Sequence, residues 1–261
     1  MRSLFLSPPL RFAFLLGLSI VIAVMGLSLD SPAVVIGAML IAPLMTPVIA
    51  FAAALAMGWP RWMARMGGIV LVASVGSVAL AWLLATLLPM AALTREVLSR
   101  TSPDARDLLV AIAAGAAGAY AMVREDLSAA LPGVAVAVAL VPPLAGIGIV
   151  LEAGRYDLAV GAMLLYAANL VAIVVSGVAV LLATGFVPIP HLARVRPRVA
   201  LGLAGLLGAL ALIGVPLTRS MLAVAEHAVK VRHASEEVER WLEAAGELEA
   251  TRVRVEEQRV V

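Results

Sequence analysis

Seven stretches of this chain carry so many consecutive apolar residues that water cannot be their solvent. They run Phe12–Leu29, Ala33–Met57, Gly67–Pro89, Leu108–Met122, Pro132–Leu151, Leu158–Phe186 and Val199–Leu217. Most hold the roughly 20 residues a helix needs to cross ~30 Å of hydrocarbon. Backbone in hydrocarbon must satisfy its own N–H and C=O groups, so these spans are expected to be helices. The predicted class is an all-α polytopic membrane protein with about seven transmembrane helices, multi-pass in a cell membrane, with the lipid bilayer as its first partner. Composition agrees, since 63% of residues are of the set AVILMFWYC and only 14% are charged, too few to cover a soluble domain. The fourth stretch is the shortest. At 15 residues it reaches ~22 Å as a helix, so it must borrow flanking residues, thin the bilayer or re-enter.

Charge sits between the spans. Met1 to Thr218 carries 12 basic and 8 acidic residues, and Arg219 to Val261 carries 7 and 9. Neither part has the dense basic stripe that nucleic acid needs, so nucleic acid is excluded as a partner. The amino-terminal side of the predicted topology holds Arg2, Arg11, Arg61, Arg65, Arg124, Arg194, Arg196 and Arg198, which favours a cytoplasmic amino terminus. Arg2 and Arg11 ahead of an apolar run resemble a signal peptide. The run is long for one and no small-x-small site follows it, so a retained first span is expected.

Cysteine is absent, and His191, His227 and His233 lie outside the spans with no His–Glu spacing suited to a metal. No glycine-rich loop carries the Lys of a nucleotide site. No catalytic residue, metal site or cofactor is expected, and the chain is not predicted to be an enzyme.

Residues 1–218 form the expected transmembrane domain and 219–261 a soluble tail. In the tail, Met221, Val224, Ala228, Val231, Val238, Trp241, Leu242 and Ala245 follow a helical period, with Gly246 as its stop. Val253 and Val255 then alternate with charges, which predicts a short strand. One helix and one strand do not close a core. The tail is therefore expected to pack on another surface.

A shift of 100 positions places Pro32 on Pro132, Val34 on Val134, Leu40 on Leu140, Pro43 on Pro143 and Leu44 on Leu144, while Gly58 and Gly154 each precede an Arg-bearing turn. This predicts a 3+3 repeat, the first unit about 12–89 and the second about 108–186, with an extra span at about 199–217. Three is odd, so the second unit enters from the opposite face and the repeat is inverted. Pro43 lies 11 residues beyond Pro32, about 16 Å into the bilayer, and Pro143 is equally deep. A proline there frees a carbonyl near the midplane, which predicts broken second and fifth helices. Unwound carbonyls and half-helix ends are where transporters hold ions and small polar solutes. The candidate substrate-binding residues are Pro43, Thr46, Pro47, Pro142 and Pro143, joined by Asn169 and Tyr120. A carboxamide such as Asn169 is costly in mid-span unless engaged.

Asp30 and Ser31 before Pro32 make a helix cap, and Glu125 and Asp126 ahead of Pro132 a cap or entrance lining. Small residues over Ala113–Ala119, and Gly67, Gly68, Ser74, Gly76 and Ser77, predict close helix approach, within the chain or in a homo-oligomer.

Asp30-Ser31-Pro32 runs into Ile36-Gly37-Ala38-Met39-Leu40-Ile41-Ala42-Pro43-Leu44-Met45. A second block joins Gly115-Ala116-Ala117-Gly118-Ala119-Tyr120 to Ala130-Leu131-Pro132-Gly133-Val134-Ala135-Val136-Ala137 and Leu140-Val141-Pro142-Pro143-Leu144. These blocks resemble the signature of domain-of-unknown-function family 389, over about Phe12 to Gly185. The resemblance implies a hydrophobic multi-pass membrane protein and carries no established activity. The function expected from the paired breaks is a transporter or channel for a small solute or ion at the bilayer midplane. A second reading is a non-transporting scaffold or sensor whose tail binds a partner or drives oligomerisation.

Overall fold

The computed structural model describes residues 7–88, 92–101, 105–124, 140–188, 190–193, 195–208, 211, 255–256 and 259–260. The chain divides into two compact units, Met1–Ile213 and Gly214–Val261.

In the first unit the helices are α1 (Pro8–Ser28), α2 (Pro32–Ile41), α3 (Met45–Ala56), α4 (Pro60–Leu87), α5 (Arg95–Ser99), α6 (Ala105–Val123), α7 (Val141–Glu152) and α8 (Tyr156–Ala183). Residues 190–193 and 195–208 are also helical. Among the described residues four helices are long and apolar enough to cross a membrane: α1, α4, α8 and the Arg106–Val123 part of α6. A fifth span exists if α2 and α3, bent by 55°, are one broken crossing. The expected fifth span is described only from Leu140 onward, as the 12-residue α7, and the seventh only through residue 208 and at 211. The fourth is longer than its apolar run, because α6 recruits Ala105, Arg106 and Asp107 into its first turn and reaches 19 residues. Asp107 suits the positive helix start.

Proline and glycine punctuate this unit. Pro8, Pro32 and Pro60 open their helices at the first position, where the missing N–H costs nothing. Gly58, Gly154 and Gly185 close α3, α7 and α8 with φ of 64°, 70° and 73°, a conformation in which a Cβ is strained. Behind Gly58 the amides of Gly58 and Trp59 bond Leu55 O and Ala54 O, both at 2.9 Å; behind Gly154 those of Gly154 and Arg155 bond Leu151 O and Val150 O, at 3.2 and 2.9 Å. Both are Schellman closures.

These stops delimit a recurrence. Helices α3 and α7 have 12 residues each, and α4 and α8 have 28 each. Ninety-six positions separate Met45 from Val141, Gly58 from Gly154, Pro60 from Tyr156 and Leu87 from Ala183. Helix α7 lies at the centre, with Val141 to Val150 all buried. It packs on α1, α4 and α8, and its contact with α4 passes through Gly148, which lies against Ala81. Helix α3 packs on α8, where Gly177 lies against Ala52.

At one end of the bundle α5 ties the α1–α2 turn down: Thr94 Oγ1 donates to Leu27 O at 2.6 Å and Glu96 N to Asp30 Oδ1 at 2.7 Å. At the other end His191 Nε2 lies 2.9 Å from Met57 O and Val195 packs on Gly58. In the second unit, among the described residues, Val255–Glu256 pairs antiparallel with Arg259–Val260. The amphipathic helix expected over residues 221–245 lies outside the described residues.

Candidate functional site

The break between α2 and α3 is made by Ala42, Pro43 and Leu44. Ala42 turns extended (φ −66°, ψ 122°) and ends α2, while Leu44 caps α3. Ala38 to Ile41, the last turn of α2, carry carbonyls without an intrahelical partner. One of them is closed from a neighbouring helix, since the fully buried Ser19 of α1 donates its hydroxyl to Ala38 O at 2.7 Å. Ser19 was not among the residues expected at the site. A lone hydroxyl inside an apolar span was the available signal.

The prolines beyond the break act at helix starts. Pro47 is the third residue of α3, and Pro142 and Pro143 are the second and third of α7. Each removes an amide donor that the first turn could not have satisfied internally. Pro143 stands 96 positions after Pro47, the interval that also separates the helix starts and the glycine stops, and 100 after Pro43.

The remaining candidates scatter. Pro142, Pro143 and Asn169 are buried, whereas Thr46 is exposed on the outer face of the first turn of α3. Tyr120 is 44% exposed near the far end of α6, so it does not join the break. Asn169 shares the α8 stripe of Ile173 and Ser176. That stripe meets α6 at Gly115, where a Cβ would lie 2.6 Å from Ile173 backbone atoms. Glu125 and Asp126 lie outside the described residues.

The cap at Asp30 and Ser31 differs from expectation. Ser31 precedes α2 but its side chain makes no capping bond, and Asp30, at φ 53°, aims its carboxylate at Glu96 N in α5. Thr94 completes this second cap, accepting from Val97 N at 3.3 Å. Asp30→Ala removes the acceptor and strains a left-handed backbone, so it should destabilise by about 1 kcal/mol, whereas Asp30→Asn keeps both features. Thermal melts in one detergent check this; equal melts for Ala and Asn would reject the cap.

A polar contact that the sequence did not pair lies where α4 crosses α8: the hydroxyls of Ser74 and Tyr166 bond each other, and Ser74 Oγ also donates to Val70 O at 2.7 Å. Cavities flank this crossing on both sides. One of about 300 Å³ is lined by Val48, Phe51, Gly67, Val70, Leu170 and Val174 among others. The second, of about 690 Å³, is lined by Leu144, Ile147, Met163, Tyr166, Ser74 and Val78 among others. Those six pairs, taken in order, stand 96 positions apart. Both walls are almost entirely apolar.

A chain of several long apolar helices, with a bent pair among them, fits the helical membrane-protein class by length and composition. It belongs to the family described as a domain of unknown function, DUF389, whose model matches residues 39–175. It is similar to an uncharacterised protein of Methanocaldococcus jannaschii, 29% identical over 171 residues that cover 66% of this chain and 53% of the relative. The match thus spans about half of that relative's length. No solved structure matches the chain significantly.

Proposed function

We propose that the chain is a membrane transport protein for a small solute, built from two inverted copies of one helical unit that move against each other where α4 crosses α8. The supporting observation is reciprocal packing in a single frame. Ala52 on Gly177 becomes Gly148 on Ala81 when each position is exchanged for its partner 96 residues away. Two unrelated segments have no reason to repeat both members of a contact, whereas a duplicated unit does. In this reading α3 and α7 each start near the midplane and run to opposite faces, the half-helix arrangement that transporters place around their solute. Apolar walls at the crossing and the engagement of Ala38 O by Ser19 favour a neutral solute over a bare ion.

The absence of cysteine makes a direct test available. Ala42→Cys, at the break, should react with a membrane-impermeant maleimide in both right-side-out and inside-out vesicles, because alternating access exposes the midplane to each face in turn. Leu71→Cys, on an exposed apolar face of α4, should remain unlabelled in both. Labelling of Ala42→Cys from one face only, or from neither, rejects transport through this break.

A further inference from the structure

A lateral groove of about 700 Å³ lies between helices α1 and α4, whereas Gly115 brings α6 and α8 into contact. Its floor is small. Gly68 and Gly76 have no described atom within 4 Å of where a Cβ would stand, so the close approach expected at these glycines is made by no described part of this chain. Phe12, Leu16, Val72 and Leu80 form the walls. From Arg65 to Leu80 the groove follows α4 for about 22 Å, more than the ~15 Å depth of one leaflet's hydrocarbon.

The two polar features of the groove are differently placed. Ser77 lies along it, only 2% exposed, with a buried hydroxyl that has no hydrogen-bond partner among the described residues. Arg65 stands at its outer end, with its guanidinium 5.4 Å from the ring centre of Trp62. Tryptophan and arginine together mark the headgroup level of a membrane protein. The charges at the two ends of the bundle differ as well. In the first unit the described acidic residues Asp30, Glu96, Asp107, Glu152 and Asp157 belong to the end that holds α5, among Arg95, Arg100, Arg106 and Arg155, whereas the end of Arg65 carries Arg11, Arg61, Arg124, Arg196 and Arg198 with no described acidic residue.

We infer that the α1–α4 groove is a binding site for one anionic phospholipid, its phosphate at Arg65 and an acyl chain laid over Gly68 and Gly76 toward Ser77. A chain in this groove supplies the packing that the glycines leave open and reaches the level of Ser77, 12 residues or about 18 Å along α4 from Arg65. Attraction of a juxtamembrane arginine to an anionic headgroup provides the preference over a zwitterionic one. The inference stands independently of the proposed transport, since it needs neither the repeat nor any motion of the breaks.

Quenching of a single tryptophan by brominated lipid tests it. With Trp59, Trp82 and Trp241 changed to Phe, Trp62 is the remaining reporter. In bilayers that are mainly unbrominated phosphatidylcholine, a minor fraction of chain-brominated phosphatidylglycerol should act on Trp62 as if enriched about fivefold over chain-brominated phosphatidylcholine. Arg65→Gln should abolish the preference between headgroups. Gly76→Leu, which points into open space and leaves the fold intact, should lower quenching by both lipids. Equal quenching by the two lipids in the single-tryptophan protein, or a preference that survives Arg65→Gln, overturns the site. So does a Gly76→Leu protein that loses a dimer present beforehand, because the groove would then hold a second copy of the chain.

Discussion

Gly148→Ala is expected to lower the melting temperature of the purified protein sharply, while Gly177→Ala leaves it unchanged or raises it. Both substitutions add one methyl group to a helix glycine, and helix propensity alone favours each by about 1 kcal/mol. Packing decides the sign. At Gly148 the new Cβ would lie 2.5 Å from Ala81 Cβ, 2.6 Å from Trp82 N and 2.8 Å from Val78 O. Two of those atoms are backbone, so relief requires α7 and α4 to separate along a helix whose residues Val141 to Val150 are all buried. Overpacking of this kind costs about 1–3 kcal/mol. At Gly177 the nearest atoms are Ala52 Cβ at 3.4 Å and Ile49 Cδ1 at 3.6 Å, ordinary contacts that a small shift accommodates. Ala81→Gly in the Gly148→Ala background should return part of the loss, because it recreates the alanine–glycine arrangement of Ala52 and Gly177 with the partners exchanged. Melts of the three variants in one detergent suffice. If Gly148→Ala melts with the parent protein, α4 and α7 do not meet as closely as described.

How much of this was written in the sequence depends on the kind of residue. Helix starts and stops were readable, since Pro32, Pro60, Gly58 and Gly154 act through their own backbone chemistry wherever the chain places them. A repeat is harder to read. In a Val, Leu and Ala background many shifts align apolar residues: a shift of 100 pairs Pro43 with Pro143, and a shift of 96 pairs Gly58 with Gly154, whose backbone requirement does not depend on that background.

Side-chain direction was less accessible. Thr46 follows a break, and the phase of a new helix cannot be set without knowing where it begins; with Met45 as first residue, the hydroxyl faces outward. Asp30 stood two residues before an expected helix start at Pro32 and caps a helix that begins at Arg95 instead. Ser74 and Tyr166 are 92 residues apart, and only the crossing of α4 and α8 brings them together. Pairings of this kind depend on tertiary geometry, which a propensity or a period does not encode.

Ser19→Ala should destabilise the protein by about 1–2 kcal/mol although it deletes one atom from an apolar helix. The magnitude follows from the acceptor. Ala38 belongs to the last turn of α2, whose carbonyls have no following amide to receive, and Ser19 Oγ reaches it at 2.7 Å from a site with no exposure. Orphaning a buried acceptor costs about 1–3 kcal/mol, while interhelical bonds between membrane helices average nearer 1 kcal/mol or below. Ser176→Ala provides the contrast, because Ser176 Oγ donates to Ala172 O at 2.8 Å within its own helix. That carbonyl already accepts a helical amide, so its loss should cost a few tenths of a kcal/mol. Ser19→Thr retains a donor and should fall between the parent and Ser19→Ala, limited by the fit of its extra methyl group. SDS-titration unfolding resolves the three. Equal stability for Ser19→Ala and Ser176→Ala would mean that another donor, water included, reaches Ala38 O. A break open to water at that point is what passage of a solute through it needs, so the size of this one loss also measures how tightly the resting protein is sealed.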